Sequence, residues 1–148
     1  MRKMDINLHE KYKTLRFSNP ETINMYVDIL EQDLLMIKVF IYIGTYQTKH
    51  GDEVGITISE LIENINVVRL IKKDKSSSRN FTYQQGTTHI HRKTAEKVVD
   101  KLSAMSLIYY KPVKPYKFFY LTERGKQVFK RIAELKAKQK QEEMKTNG

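Results

Sequence analysis

Arg92, Lys93, Lys97 and Lys101 fall within ten consecutive residues of a chain that has no cysteine. Between them sit Ala95, Val98, Val99 and Leu102, followed by Met105. Apolar positions spaced 3, 1, 3 and 3 mark one buried face of an α-helix, which turns the cations outward together with Glu96 and Asp100. Fixed ammonium and guanidinium groups on one helix face suit the neutralisation of phosphate oxygens. A basic turn with two prolines follows, Lys111-Pro112-Val113-Lys114-Pro115-Tyr116-Lys117, flanked by Tyr109-Tyr110 and Phe118-Phe119-Tyr120. Enzyme chemistry has no comparable support. The chain has no glycine-rich phosphate loop, no nucleophile motif and no carboxylate cluster at metal-ligand spacing. His89 and His91 form a His-X-His pair. On a helix the two rings would diverge by about 200°, so no metal site and no cofactor is expected.

The charge is unevenly divided. The 148 residues carry a formal net charge of +10. Residues 1–66 hold 7 Lys+Arg against 10 Asp+Glu, whereas residues 67–101 hold 9 against 3. A chain that docks one face on a polyanion divides its charge in this way, and a uniformly solvated lysine-rich surface does not. The N-terminus has no apolar signal core. The longest apolar run, LLMIKVFIYIG, contains Lys38 and is too short to span a bilayer. These features, with the absence of cysteine, give a cytoplasmic expectation.

The elements that must position these cations can be read in order. Residues 1–17 are expected to be a flexible N-terminal arm. Residues 18–135 are expected to form one DNA-binding and dimerisation domain, and residues 136–148 a polar C-terminal tail that frays. Ser18 or Asn19 caps a helix with Pro20 in its first turn. The apolar residues from Ile23 to Ile43 fall on more than one face, with a break near 31–33, so a second copy is expected to cover one side. Gly55–Thr57 reads as a short strand, and Ser59 as the cap of a helix with Leu61, Ile62 and Ile65 on its buried stripe. That helix could extend through Leu70 and Ile71. The rest of 67–87 reads as a basic loop, either offering Lys72, Lys73, Lys75 and Arg79 to phosphate or simply a tolerated insertion. The reader helix starts between Thr87 and Arg92 and ends at Ser106-Leu107-Ile108, where the chain turns into strands at 107–110 and 118–121 around a turn at 111–117. A last helix begins after Thr122, with its apolar stripe ending at Leu135.

This order of phrases, SELIENI, then KTAEKVVDKLSAMSLIYY, then KFFYLTERGKQVFKRI, resembles winged helix-turn-helix transcriptional regulators, most closely the MarR-type group. Leu121-Thr122-Glu123-Arg124-Gly125-Lys126 after an aromatic strand is typical of that group, as is the Leu102 to Ile108 phrase that ends the reader helix; the order and spacing of the phrases carry the likeness, which covers about residues 33–135. It implies a mainly α fold with a small β-wing (α+β) and a homodimer on double-stranded DNA at an inverted repeat. His91, Arg92, Lys93, Thr94 and Lys97 would face bases, with Lys101 further along the same helix. Lys111, Lys114 and Lys117 would touch phosphate or the minor groove. A replication or partition role, or a winged helix that docks protein, is the competing expectation. Steep salt dependence of binding separates DNA contact from protein docking.

Overall fold

The computed structural model describes residues 8–72 and 83–146. The described chain is mainly helical, with two small antiparallel sheets. Helix α1 spans Leu8–Lys11, α2 Pro20–Glu31, α3 Leu34–His50 and α4 Ile58–Asn64. Strands β1 (Asn66–Lys72) and β2 (Tyr83–His89) follow, then α5 (Arg92–Ala104), β3 (Ile108–Val113), β4 (Tyr116–Leu121) and α6 (Glu123–Thr146).

Helix starts follow local capping chemistry. Asn19 accepts a hydrogen bond from Glu21 N at 2.7 Å, with Pro20 at the first helical position. Asp33 accepts from Met36 N at 3.0 Å, so the break expected near 31–33 is a cap between two helices. The cap of α4 is Thr57, which accepts from Glu60 N at 3.2 Å, rather than Ser59. Helix α5 ends in a Schellman arrangement. Ser106 N donates to Ser103 O at 2.9 Å and Leu107 N to Leu102 O at 3.1 Å, with Ser106 at φ 58° where glycine is usual. The Ser106 hydroxyl, 2.6 Å from Arg124 Nη2, ties that turn to α6.

One core joins these elements. Val27, Leu30, Val39, Phe40 and Ile43 from α2 and α3 meet Leu61, Ala95, Val99, Leu102, Leu107, Ile108, Val128 and Ile132, all at most 4% exposed. Ile56 pairs with Phe119 as an isolated bridge, its N–H donating to Phe119 O at 3.1 Å. The predicted 55–57 strand is thus a single rung on the edge of β4.

The structure revises four expectations. The 67–87 segment is neither a helical extension nor wholly a loop, because Asn66–Lys72 and Tyr83–His89 pair in register as an antiparallel hairpin. Residues 8–17 are not a free arm. Arg124 Nη1 donates to the carbonyls of Tyr12 and Leu15 at 2.8 and 2.9 Å, Glu123 N donates to Lys13 O, and Gln127 brackets Phe17. The 136–146 stretch continues α6 as an exposed helix rather than fraying. Its Lys, Ala, Gln and Glu residues are good helix formers that need no core. Finally, much of the apolar surface of α2 and α3 is buried within the chain itself, which leaves Met25, Ile29 and Leu34 exposed.

Candidate nucleic-acid interface

Helix α5 is anchored before it begins. Ile90 is 2% exposed, and His91 occupies the N-cap position. Ala95, Val98, Val99 and Leu102 are buried, as the 3.6-residue period requires. Lys93 and Lys97 lie exposed on the opposite face, and neither makes an ion pair among the described residues. Thr94 is half-buried at the edge of that face.

The other cations of the helix are partly engaged. Arg92 Nε sits 3.3 Å from Glu96 Oε1, and Lys101 Nζ sits 3.6 Å from Asp33 Oδ2. Both pairs are more than a third exposed at one partner or both, and such pairs are screened and worth little. A phosphate could displace either acid without a large penalty.

The β3–β4 hairpin separates the three lysines of the expected wing. Lys111 belongs to β3 and Lys117 to β4, and only Lys114 lies in the turn. Side chains alternate across a two-stranded ribbon. Tyr110 pairs with Phe119 and Pro112 with Lys117 on the face toward α5, while Tyr109 pairs with Tyr120 and Lys111 with Phe118 on the other. Lys117 Nζ lies 4.9 Å from the centre of the Tyr110 ring. With Arg92, Glu96, Asp100 and Tyr116 it borders a groove of about 640 Å³ between α5 and the hairpin. Lys111 instead reaches Glu10, at 4.0 Å, and lies over Tyr120. The grouping of Lys111 with the α5 cations is therefore corrected, because it faces away from them.

On that far side a polar cavity of about 500 Å³ has Gln47, Asp52, Tyr109, Lys111 and Lys126 in its wall. Its groups largely answer one another. Gln47 accepts from Leu121 N at 2.8 Å, and Lys126 bridges Asp52 and Glu123 at 2.9 and 3.2 Å. Hydrogen bonds from Lys126 and then from Gln47 hold the Asp52 carboxyl below the ordinary carboxylate value.

The aromatics of the hairpin pack rather than splay. Tyr109 stacks on Tyr120 at 5.3 Å, and Phe119 is 4% exposed. Tyr116, beside the turn, is 56% exposed. Lys72 is the last residue of β1. Lys73 and Arg79 lie outside the described residues. Arg69, within β1, is a further cation of this segment that the sequence reading omits, because a helical extension there gives it no role. Among the described residues no group of three or more His, Cys, Asp or Glu side chains could hold a metal. His89 Nδ1 lies 2.9 Å from Ile62 O, and the His50 ring rests 4.4 Å from Tyr46. No described helix is long and apolar enough to cross a membrane. No family model, curated protein or solved structure matches this chain.

The two faces of the hairpin make distinct predictions. Lys111→Ala is expected to leave duplex affinity unchanged, because its ammonium points to Glu10. Lys114→Ala with Lys117→Ala should weaken specific and random DNA alike, since single point charges position the backbone without reading sequence. Fluorescence anisotropy with both kinds of duplex tests this. A loss on Lys111→Ala equal to that of the pair would show that the orientation of the hairpin is misassigned.

Proposed function

We propose that this chain is a winged-helix protein that binds double-stranded DNA in a sequence-specific manner, as a dimeric transcriptional regulator at an inverted repeat. The observation that carries the reading is the exposed Lys93–Lys97 face of α5, backed by a fully buried opposite face, with the β3–β4 hairpin and its Lys117 flanking the adjoining Arg92–Glu96–Asp100 side of the helix. The order α3, the Ile56 rung, α4, α5, β3, β4, with the β1–β2 hairpin inserted between α4 and α5, supports a winged-helix reading in which α4 would brace the reader helix. In this reading α5 enters the major groove, which admits one helix. Lys117 approaches from the flank.

Nothing in this scheme calls for catalysis, a metal or a cofactor. The test is binding of random and genomic duplexes over a salt series. A steep fall of log K with log salt supports DNA contact, and a flat response supports protein docking instead.

The dimer part of the proposal rests on α2 and the start of α3. Met25, Ile29 and Leu34 are 50%, 42% and 81% exposed. Met25 and Ile29 lie one helical turn apart. Two-fold pairing through this patch would bury it and set two reader helices roughly 34 Å apart, one turn of the duplex. Light scattering of Ile29→Glu with Leu34→Glu should give half the wild-type mass with the thermal midpoint retained. A wild-type protein that is monomeric at micromolar concentration refutes the dimer. A dimer that survives both charges moves the interface elsewhere.

A further inference from the structure

We propose that the polar cavity behind the β3–β4 hairpin binds a small zwitterion of the amino-acid class, with its carboxylate at the Tyr109–Tyr120 pair and its ammonium at Glu53. The inference does not rest on the DNA-binding reading and would outlast its failure. The cavity, of about 500 Å³, lies where four parts of the chain meet. These are the segment after α1, the segment after α3, the far face of the hairpin and the first turn of α6. Pockets for small ligands run from roughly 300 to 1,000 Å³, so the volume suits one small molecule.

The wall holds two donors that the fold does not use. Tyr109 and Tyr120 are 8% and 9% exposed, yet neither hydroxyl forms a hydrogen bond with a described residue. The only fully buried side-chain polar atom without a partner among the described residues is Thr88 Oγ1, so both phenols open on the cavity they line. A tyrosine buried to this degree usually finds a partner for its hydroxyl. Burial pushes the Tyr109 hydroxyl above its ordinary value, which keeps it a donor at neutral pH. The pair is also held in place. Gly55 lets the backbone press on the phenol end of Tyr120, where a Cβ would sit 2.7 Å from Cζ. Lys13 Nζ lies 5.4 Å from the centre of the Tyr109 ring, and Lys111 Nζ 5.5 Å from that of Tyr120. Lys13 makes no ion pair among the described residues, and Lys111 reaches Glu10 only at 4.0 Å. Two hydroxyl donors and two ammonium groups about one stacked ring pair make a seat for a carboxylate.

Charge excludes a bare anion as the best fit. Lys13, Lys111 and Lys126 in the wall are matched by Asp52, Glu53 and Glu123. Lys126 bridges Asp52 and Glu123, and that trio leaves one negative charge on the wall. Glu53 is exposed, has no ion-pair partner among the described residues and follows Asp52 directly in the chain. The acids of this segment therefore attract an ammonium as the lysines attract a carboxylate. A neutral wall with separated charges is complementary to a neutral ligand whose charges are separated too.

The test is titration calorimetry of the full chain with the common free amino acids. Each one that binds is compared with its matching amine, which lacks the carboxylate, and its matching acid, which lacks the ammonium. At least one amino acid should bind, and its amine and its acid should each bind at least about ten-fold more weakly, the loss of one charged contact. Lys13→Gln and Glu53→Gln change side chains on the surface and should each weaken the amino acid by a similar factor. Glu53→Gln should also bring the amino acid and its matching acid to nearly the same affinity. Tyr109→Phe with Tyr120→Phe keeps the ring stack and should weaken binding further; if that protein does not fold, the Lys13 and Glu53 variants decide. Lys11→Gln, in α1 and outside the cavity, should change nothing. Absence of binding by every amino acid at millimolar concentration overturns the proposal. A matching acid that binds wild type as tightly as its amino acid makes this a plain anion site and overturns the zwitterion. Amino-acid binding that survives both the Lys13 and the Glu53 substitution lies elsewhere on the protein and overturns the site.

Discussion

Replacing Lys93 and Lys97 together by alanine will cause the largest loss of duplex affinity of any pair on α5, with no loss of fold. Both side chains are exposed and make no ion pair among the described residues, so their removal leaves no buried group unsatisfied. Alanine is also the better helix former, which keeps α5 intact. The loss on DNA depends on what each lysine touches. Taking a cation away from a phosphate flattens the salt slope by roughly 0.9 and weakens all sequences alike. Taking one away from a base costs about 1–3 kcal/mol of discrimination, roughly 5- to 150-fold, and relaxes specificity at one position. Comparing specific with random duplex across salt separates the two. Lys136→Ala with Lys138→Ala, on the exposed outer part of α6, removes the same charge from a surface away from α5 and serves as the control. If both pairs lower affinity equally, overall charge drives binding and α5 is not the reader.

The contrast between the two hairpins shows what a sequence carries in the open. Helix α5 was legible because Ala95, Val98, Val99 and Leu102 repeat at helical spacing while charge fills the other side, a pattern that strands do not produce. The β3–β4 hairpin was legible from its aromatics and prolines. Its faces were less so, because Lys111 and Lys117 look alike until the register Lys111↔Phe118 and Pro112↔Lys117 sends them to opposite sides. The β1–β2 hairpin was hidden. Val67-Val68 and Leu70-Ile71 are adjacent apolar pairs, so the alternation that marks a half-buried strand is missing, and polar Gln84, Gln85 and Thr87 give the return strand no stripe.

Two other features were hidden for different reasons. Residues 8–17 looked unattached because they are held largely through backbone carbonyls, which any sequence supplies, by Arg124, whose role depends on the fold. Thr57 and Ser59 are equally good caps by type. The α4 backbone decides for Thr57, whose hydroxyl reaches Glu60 N.

The Leu121–Lys126 phrase is a structural clasp, and breaking it should produce the largest loss of stability. Thr122 is 0% exposed. Its hydroxyl lies 2.8 Å from Ser106 O and 3.1 Å from Leu107 O, sharing one proton between them, and accepts from Gly125 N at 3.0 Å to cap α6. Thr122 N also donates to Leu107 O at 3.0 Å. Gly125 packs against that same carbonyl, and a Cβ there would sit 2.1 Å from Leu107 O. Gly125→Ala sets two effects against each other. Helix propensity favours alanine by about 1 kcal/mol. The clash is with backbone pinned by the Thr122 bond, so relief means breaking that bond or shifting α6, and overpacking of this kind costs about 1–3 kcal/mol or more. The clash should win. Thr122→Val keeps the shape but removes the cap, worth about 1 kcal/mol, and strands a buried N–H and carbonyl at about 1–3 kcal/mol. At roughly 2–4 °C per kcal/mol for a chain near this size, each variant should melt several degrees below wild type. Thr122→Ser, which retains the hydroxyl, should recover most of the difference. A Gly125→Ala protein that melts at or above wild type would mean that α6 can slide away from Leu107 without cost, and that the clasp does not fix how the β3–β4 hairpin is set against the rest of the fold.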